Sequence, residues 1–88
     1  MKDRTPVKKE SIETAITWIT EKLYDRMHQE DKGFYYSIHE FRGSLDEEVN
    51  ELKNAMHDKN ITEVLEEIQD VAVCCIIALA SIFERNIK

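Results

Sequence analysis

Four carboxylates stand where a helical reading of this sequence puts apolar surface. Glu48 and Glu51 are three residues apart in LDEEVNEL, and Glu67 and Asp70 repeat that spacing in LEEIQDV. Residues three apart on a helix share a face, so each pair can approach one point. At about 100° per residue, Phe41, Leu45, Leu52, Ala55 and Met56 fall within one arc, with Glu48 in its middle and Glu51 at its edge. Glu67 and Asp70 neighbour Cys74 and Ile77 on a second apolar face, opposite Leu65 and Leu79. Adjacent carboxylates held against apolar surface repel each other and lose hydration unless a cation binds them or one is protonated. If the two helices pack antiparallel, all four converge at one depth and form the oxygen-only site that hard cations prefer. Among 18 acidic residues a single Glu-x-x-Glu is what any solvated helix face looks like. The two motifs stand out because both face apolar surface on consecutive helices, while Glu47, Glu63 and Glu66 beside them face outward.

Three helices must position these groups. Thr5-Pro6 pairs a capping residue with a proline suited to the first helical position, and Ile12, Ile16, Ile19, Leu23 and Met27 then recur at spacings of three and four. Lys32-Gly33 can close this first helix, since glycine accepts the left-handed conformation common just past a helix end. The second helix starts at Ser37, with Glu40 completing a capping box, or at Ser44, with Glu47 doing the same; it fades near His57-Asp58. The third starts at Asn60, with Glu63 three residues on, and runs to about Asn86. With two glycines and one proline in 88 residues, the composition predicts an all-α class and one helical domain spanning 1–88.

Beyond Asp70 the third helix is apolar nearly all round. Val73, Ile76, Ile77, Leu79, Ile82 and Phe83 point in more directions than two amphipathic neighbours can cover. A bundle of about three helices per chain completed by oligomerisation, as a homodimer or homotetramer, is therefore expected. The uncharged run Val71 to Phe83 is shorter than a membrane span. A net charge of −6 with no basic stripe argues against direct nucleic-acid binding. Cys74 and Cys75 are adjacent within the apolar run, the pattern of small core residues in a reduced, cytoplasmic protein rather than of a staple or a zinc site. The N-terminus is charged with no apolar stretch behind it, so no signal peptide is expected.

The stretch Leu45 to Leu52 followed by Leu65 to Val71 resembles the ExxE…ExxD signature of the MazG-like all-α nucleotide pyrophosphohydrolases, including the doubled Glu that commonly opens each half. The likeness covers roughly residues 38 to 83. Carried over by position, it implies that Glu48, Glu51, Glu67 and Asp70 bind Mg²⁺, for which Mn²⁺ could substitute. It also implies hydrolysis of a nucleoside triphosphate, NTP or dNTP, to its monophosphate and pyrophosphate. One glutamate is expected to activate water, with Glu48 the preferred base.

The resemblance further points to substrate contacts from the first helix and from beyond the third. Trp18 is free either to stack on a base or to pack against another subunit. Arg85 and Asn86 are candidates on the other side, with helix capping an equal reading. Lys32-Gly-Phe-Tyr-Tyr36 carries the aromatics of a base pocket or of a bundle seal, and His28, His39 and His57 read as surface residues. Two other functions fit the same chain. One is a phosphoribosyl-ATP pyrophosphohydrolase-like enzyme, although residues 33 to 43 do not look like that enzyme's region before its acidic motif. The other is a non-catalytic helical interaction module of the same fold.

Overall fold

A computed structural model describes residues 4–29, 33–85 and 87 and folds them into three helices: α1, Lys9–Gln29; α2, Ile38–His57; and α3, Ile61–Phe83. Among the described residues there is no strand, and no helix is long and apolar enough to cross a membrane.

The helix starts are decided by local hydrogen bonds. Ser37, not Ser44, caps α2: its extended backbone lets the side chain accept the Glu40 N–H, satisfying one of the donors a helix leaves unpaired at its start. Ser44 lies inside the helix, and its hydroxyl is used in the core. Asn60 caps α3 in the same way, with its Oδ1 accepting the Glu63 N–H at 3.2 Å. The Thr5-Pro6 expectation fails, because α1 begins later, at Lys9, with the Lys8 carbonyl accepting its first backbone bonds. No described glycine has positive φ, so Gly33 does not act as the left-handed cap expected after α1; Lys32 lies outside the described residues.

Two non-glycine residues take that conformation instead. Lys59, at φ 56°, closes α2 as its N–H donates to Met56 O while the Asn60 N–H donates to Ala55 O. This is the paired-bond termination of a Schellman motif, and it makes Asn60 both the tail of α2 and the cap of α3. Arg85, at φ 61°, ends α3 the same way, with its N–H on Ile82 O. The third helix therefore stops at Phe83, short of the expected Asn86, which lies outside the described residues.

The short link at Lys59 forces α2 and α3 antiparallel, and α3 pairs with α2 more extensively than with α1. The register is visible in the side chains: Ser44 Oγ meets Cys74 Sγ at 3.6 Å, and Glu48 meets Asp70 one turn along. Alpha-1 runs parallel to α3, since Trp18 and Ile19 lie against Leu65 and Ile68 while Lys22 reaches Asp70. The core is small. Ala55, Val73, Cys74, Ile77, Ala78 and Ser81 are buried, and Ile87 folds back over it with its N–H on Ser81 O.

Much apolar surface stays uncovered. On α3, Ile61, Leu65, Ile68, Ile76, Leu79, Ile82 and Phe83 are all exposed and share one long face, opposite the buried Cys74, Ile77 and Ser81. Ile77 and Val73 therefore belong to this chain's own core, and of the six large residues expected to need outside cover only Ile76, Leu79, Ile82 and Phe83 are exposed. The chain exposes 7402 Å², against about 5,400 Å² for a compact monomer of this mass. Its radius of gyration is 14.9 Å, where about 12 Å is usual for this length.

Candidate metal centre

Glu48 from α2 and Glu67 and Asp70 from α3 each place a carboxylate oxygen within 4.8 Å of the others. The antiparallel register puts them there, since residues spaced by one turn on α2 face residues spaced by one turn on α3 in reverse order. Glu51, exposed on the next turn of α2, lies outside this trio but near enough for its charge to raise Glu67. It therefore flanks the trio rather than completing it.

The electrostatics of this cluster are unfavourable as it stands. Burial pushes the Glu48 carboxyl above its ordinary range, and the Asp70 and Glu51 charges push the same way while Arg26 opposes them. Burial likewise raises Glu67, reinforced by the charges of Asp70, Glu51 and Glu48. Glu48 Oε2 and Glu67 Oε2 are shielded from solvent and have no hydrogen-bond partner. A buried acceptor left unmatched costs roughly 1–3 kcal/mol, so the folded chain carries two groups suited to a cation or a proton. A hard divalent cation fits them. Oxygens on opposite sides of such an ion are about 4–5 Å apart, the donor set is carboxylate only, and two of the oxygens are unclaimed.

Two basic residues from α1 answer part of the charge. Lys22 Nζ lies 3.0 Å from Asp70 Oδ1 and donates to the Glu66 carbonyl at 3.2 Å. Arg26 Nη2 lies 3.3 Å from Glu48 Oε1, with side-chain exposures of 22% and 13%. Neither had been singled out from the sequence. The signal was there: one turn apart, Lys22 and Arg26 share the inward arc of α1 with Ile19, Leu23 and Met27, and all five are only half-exposed. Cations on a core-facing arc need an anionic partner.

Beside the carboxylates opens a cleft of about 540 Å³ whose wall includes Arg26, Glu48, Phe34, Tyr36, Ser44 and Ile77. Tyr35 fixes the far side of this cleft. Its backbone N–H donates to Ser81 Oγ, its hydroxyl lies 3.0 Å from Ser44 Oγ and 3.3 Å from Cys74 Sγ, and its ring leans on Phe41 at 5.6 Å. Burial and the bond to Cys74 push the phenol up to about 12, so it stays protonated and structural. Of the aromatic segment, then, Tyr35 seals the bundle while Phe34 and the exposed Tyr36 face the cleft.

The expected peripheral residues lie elsewhere. Trp18 lines a separate apolar groove with Ala15, Ile19, Leu65 and Ile68. Arg85 is beyond the end of α3 and is not part of the cleft wall, and Asn86 falls outside the described residues. Glu47, Glu63 and Glu66 are exposed, with Glu47 at the cleft edge. No family model, curated protein or solved structure matches this chain.

Proposed function

We propose that this protein is a divalent-cation-dependent nucleoside triphosphate pyrophosphohydrolase, with Glu48, Glu67 and Asp70 holding Mg²⁺, Glu51 adding its charge from the next turn, and the adjoining cleft receiving the nucleotide. The observation that carries the reading is the pair of shielded, partnerless oxygens on Glu48 and Glu67 within a three-carboxylate cluster, of which Glu48 also lines the adjoining cleft. When bound there, Mg²⁺ would neutralise charge on phosphate oxygens. Phe34 and Tyr36 offer ring faces to a base, and Arg26 offers its guanidinium between the cleft and the carboxylates.

In the reaction, a water oxygen attacks the α-phosphorus, the bond to the α–β bridging oxygen breaks, and pyrophosphate leaves. The water's proton passes to Glu48, whose burial raises its proton affinity in the direction a general base requires. Release of pyrophosphate from the ribo- and deoxyribonucleoside triphosphates, assayed with Mg²⁺, tests this. No release from any of them, with the protein folded and the metal in excess, would refute it.

The active form is a homo-oligomer. The exposed stripe of α3 carries Ile61, Leu65 and Ile68, then Leu79 and Ile82, which with the small Ala72 and Cys75 between them follow spacings of four and three that a second copy of the same stripe can match knob into hole. The same stripe supports a second reading, a non-catalytic module that uses α3 to bind another protein. That module has no use for cation-dependent thermal stabilisation, whereas a metal bound only by the folded form must raise the melting temperature.

A further inference from the structure

Among the described residues, both basic side chains that reach the carboxylate centre come from the one helix that contributes no acid to it. Lys22 and Arg26 sit one turn apart on α1, and they divide the cluster between them: Lys22 takes Asp70 on α3, Arg26 takes Glu48 on α2. Neither ion pair is sealed, since Lys22 and Asp70 keep 32% and 21% of their side-chain exposure. Glu67, between them, keeps an oxygen with no partner. The two cations therefore neutralise the cluster incompletely and hold it through pairs that water can reach.

We propose that Lys22 and Arg26 are exchangeable internal counter-ions. They hold the carboxylates together in the cation-free chain, compete with a divalent ion for Asp70 and Glu48, and on displacement turn to the phosphate oxygens of a ligand in the cleft. This rests on the metal-centre reading above. Like charges converging on one cluster repel, so a dication accepted by these carboxylates weakens both pairs. Displacement leaves each cation with somewhere to go. Arg26 already forms part of the cleft wall, and its planar fork matches a phosphate edge with two donors. Lys22 is not part of the cleft wall, and it reaches toward the cleft by swinging its flexible four-carbon stem from Asp70 and the Glu66 carbonyl. The exchange also orders the ligand: polyphosphate lies toward α1 and the carboxylates, and the aromatic end of the cleft, at Phe34 and Tyr36, is left for the remainder.

A salt bridge that only orders the carboxylates predicts no gain in metal affinity paired with a loss of nucleotide affinity when it is removed, and the two readouts together separate the cases. Mn²⁺ is titrated into wild type, Lys22→Met, Arg26→Gln and Lys22→Arg without nucleotide, reading free Mn²⁺ by electron paramagnetic resonance and helicity by circular dichroism. A non-hydrolysable nucleoside triphosphate is then titrated with Mn²⁺ present. Loss of either cation should tighten Mn²⁺ roughly fivefold, the scale of one half-exposed ion pair, and weaken the nucleotide analogue by at least as much. Lys22→Arg should restore both values toward wild type. Should Lys22→Met lose its helical signal, Arg26→Gln decides alone. Unchanged or weaker Mn²⁺ binding in the folded charge-removing variants overturns the exchange while leaving the metal centre standing. A wild type that binds no Mn²⁺ overturns both.

Discussion

Replacing Glu67 with glutamine should make the cation-free protein more stable and the cation-bound protein less so. Of the three clustered carboxylates, Glu67 has neither Lys22 nor Arg26 beside it, and its Oε2 is shielded without a partner. Its nearest oxygens lie within 4.8 Å of those of Glu48 and Asp70. At that separation two unit charges repel by about 3.5 kcal/mol at an effective dielectric of ~20 and by about 0.9 kcal/mol in bulk water. Lys22 and Arg26 offset part of this and solvent screens more, which leaves a net relief of about 1 kcal/mol for Glu67→Gln. In a domain this small that raises the melting temperature by about 4–8 °C. With Mg²⁺ at a hundred times its dissociation constant, the wild type should gain about 2.7 kcal/mol, and the variant, lacking a charged ligand, much less. The two melting curves should therefore exchange order between chelator and saturating Mg²⁺ at one fixed protein concentration. A variant that melts below wild type in chelator, or a wild type whose melting temperature ignores Mg²⁺, refutes the account of this cluster.

Asp70→Asn and Glu48→Gln should each abolish pyrophosphate release while leaving the far-ultraviolet helical signal intact, because each removes charge without changing shape; near wild-type turnover in either would sink the metal-site assignment. Activity should follow Mg²⁺ or Mn²⁺ and disappear in excess chelator, with Ca²⁺ binding but supporting little turnover, since phosphate chemistry needs compact octahedral geometry; full activity in chelator would remove the reason for the four acids. Glu48 and Glu67 are raised in the folded chain, so their charged forms cost stability above the folded pKa and that cost vanishes as pH falls toward the unfolded value. The cation-free stability advantage of Glu67→Gln over wild type should therefore shrink as pH is lowered from neutrality to about 4.5, and an advantage that grows instead would show the sign is wrong. Leu79→Glu, placed in the middle of the exposed α3 stripe, should leave the helices intact and convert the oligomer to a 10.4 kDa monomer by light scattering; an unchanged assembly would move the interface off this face.

Reading the sequence alone places the elements where the signals are local. Asn60 with Glu63 marks the start of α3 because a cap is a bond between residues three apart, and Glu48 is legible as an inward acid because the apolar residues of α2 give that helix a definite phase. The grouping of Glu67 and Asp70 with Cys74 and Ile77, away from Leu65 and Leu79, follows from the same periodicity. Local rules fail where two signals compete or where none is present. Ser37 and Ser44 carry the same capping pattern, and only packing, which draws Ser44 to Tyr35 and Cys74, leaves Ser37 at the helix start.

Tertiary structure alone decided the rest. Lys22 and Arg26 acquire their meaning from acids on two other helices, and no spacing within α1 can name those partners. The latter half of α3 is apolar nearly all round, so its composition carries no phase: Ile76 and Ile77 are adjacent and chemically identical, yet Ile77 is 5% exposed against the cleft and Ile76 37% exposed on the uncovered stripe. A side chain's direction on such a helix is fixed by where its neighbours lie, and the neighbours are set by the Lys59 turn and the side of α3 that α1 occupies.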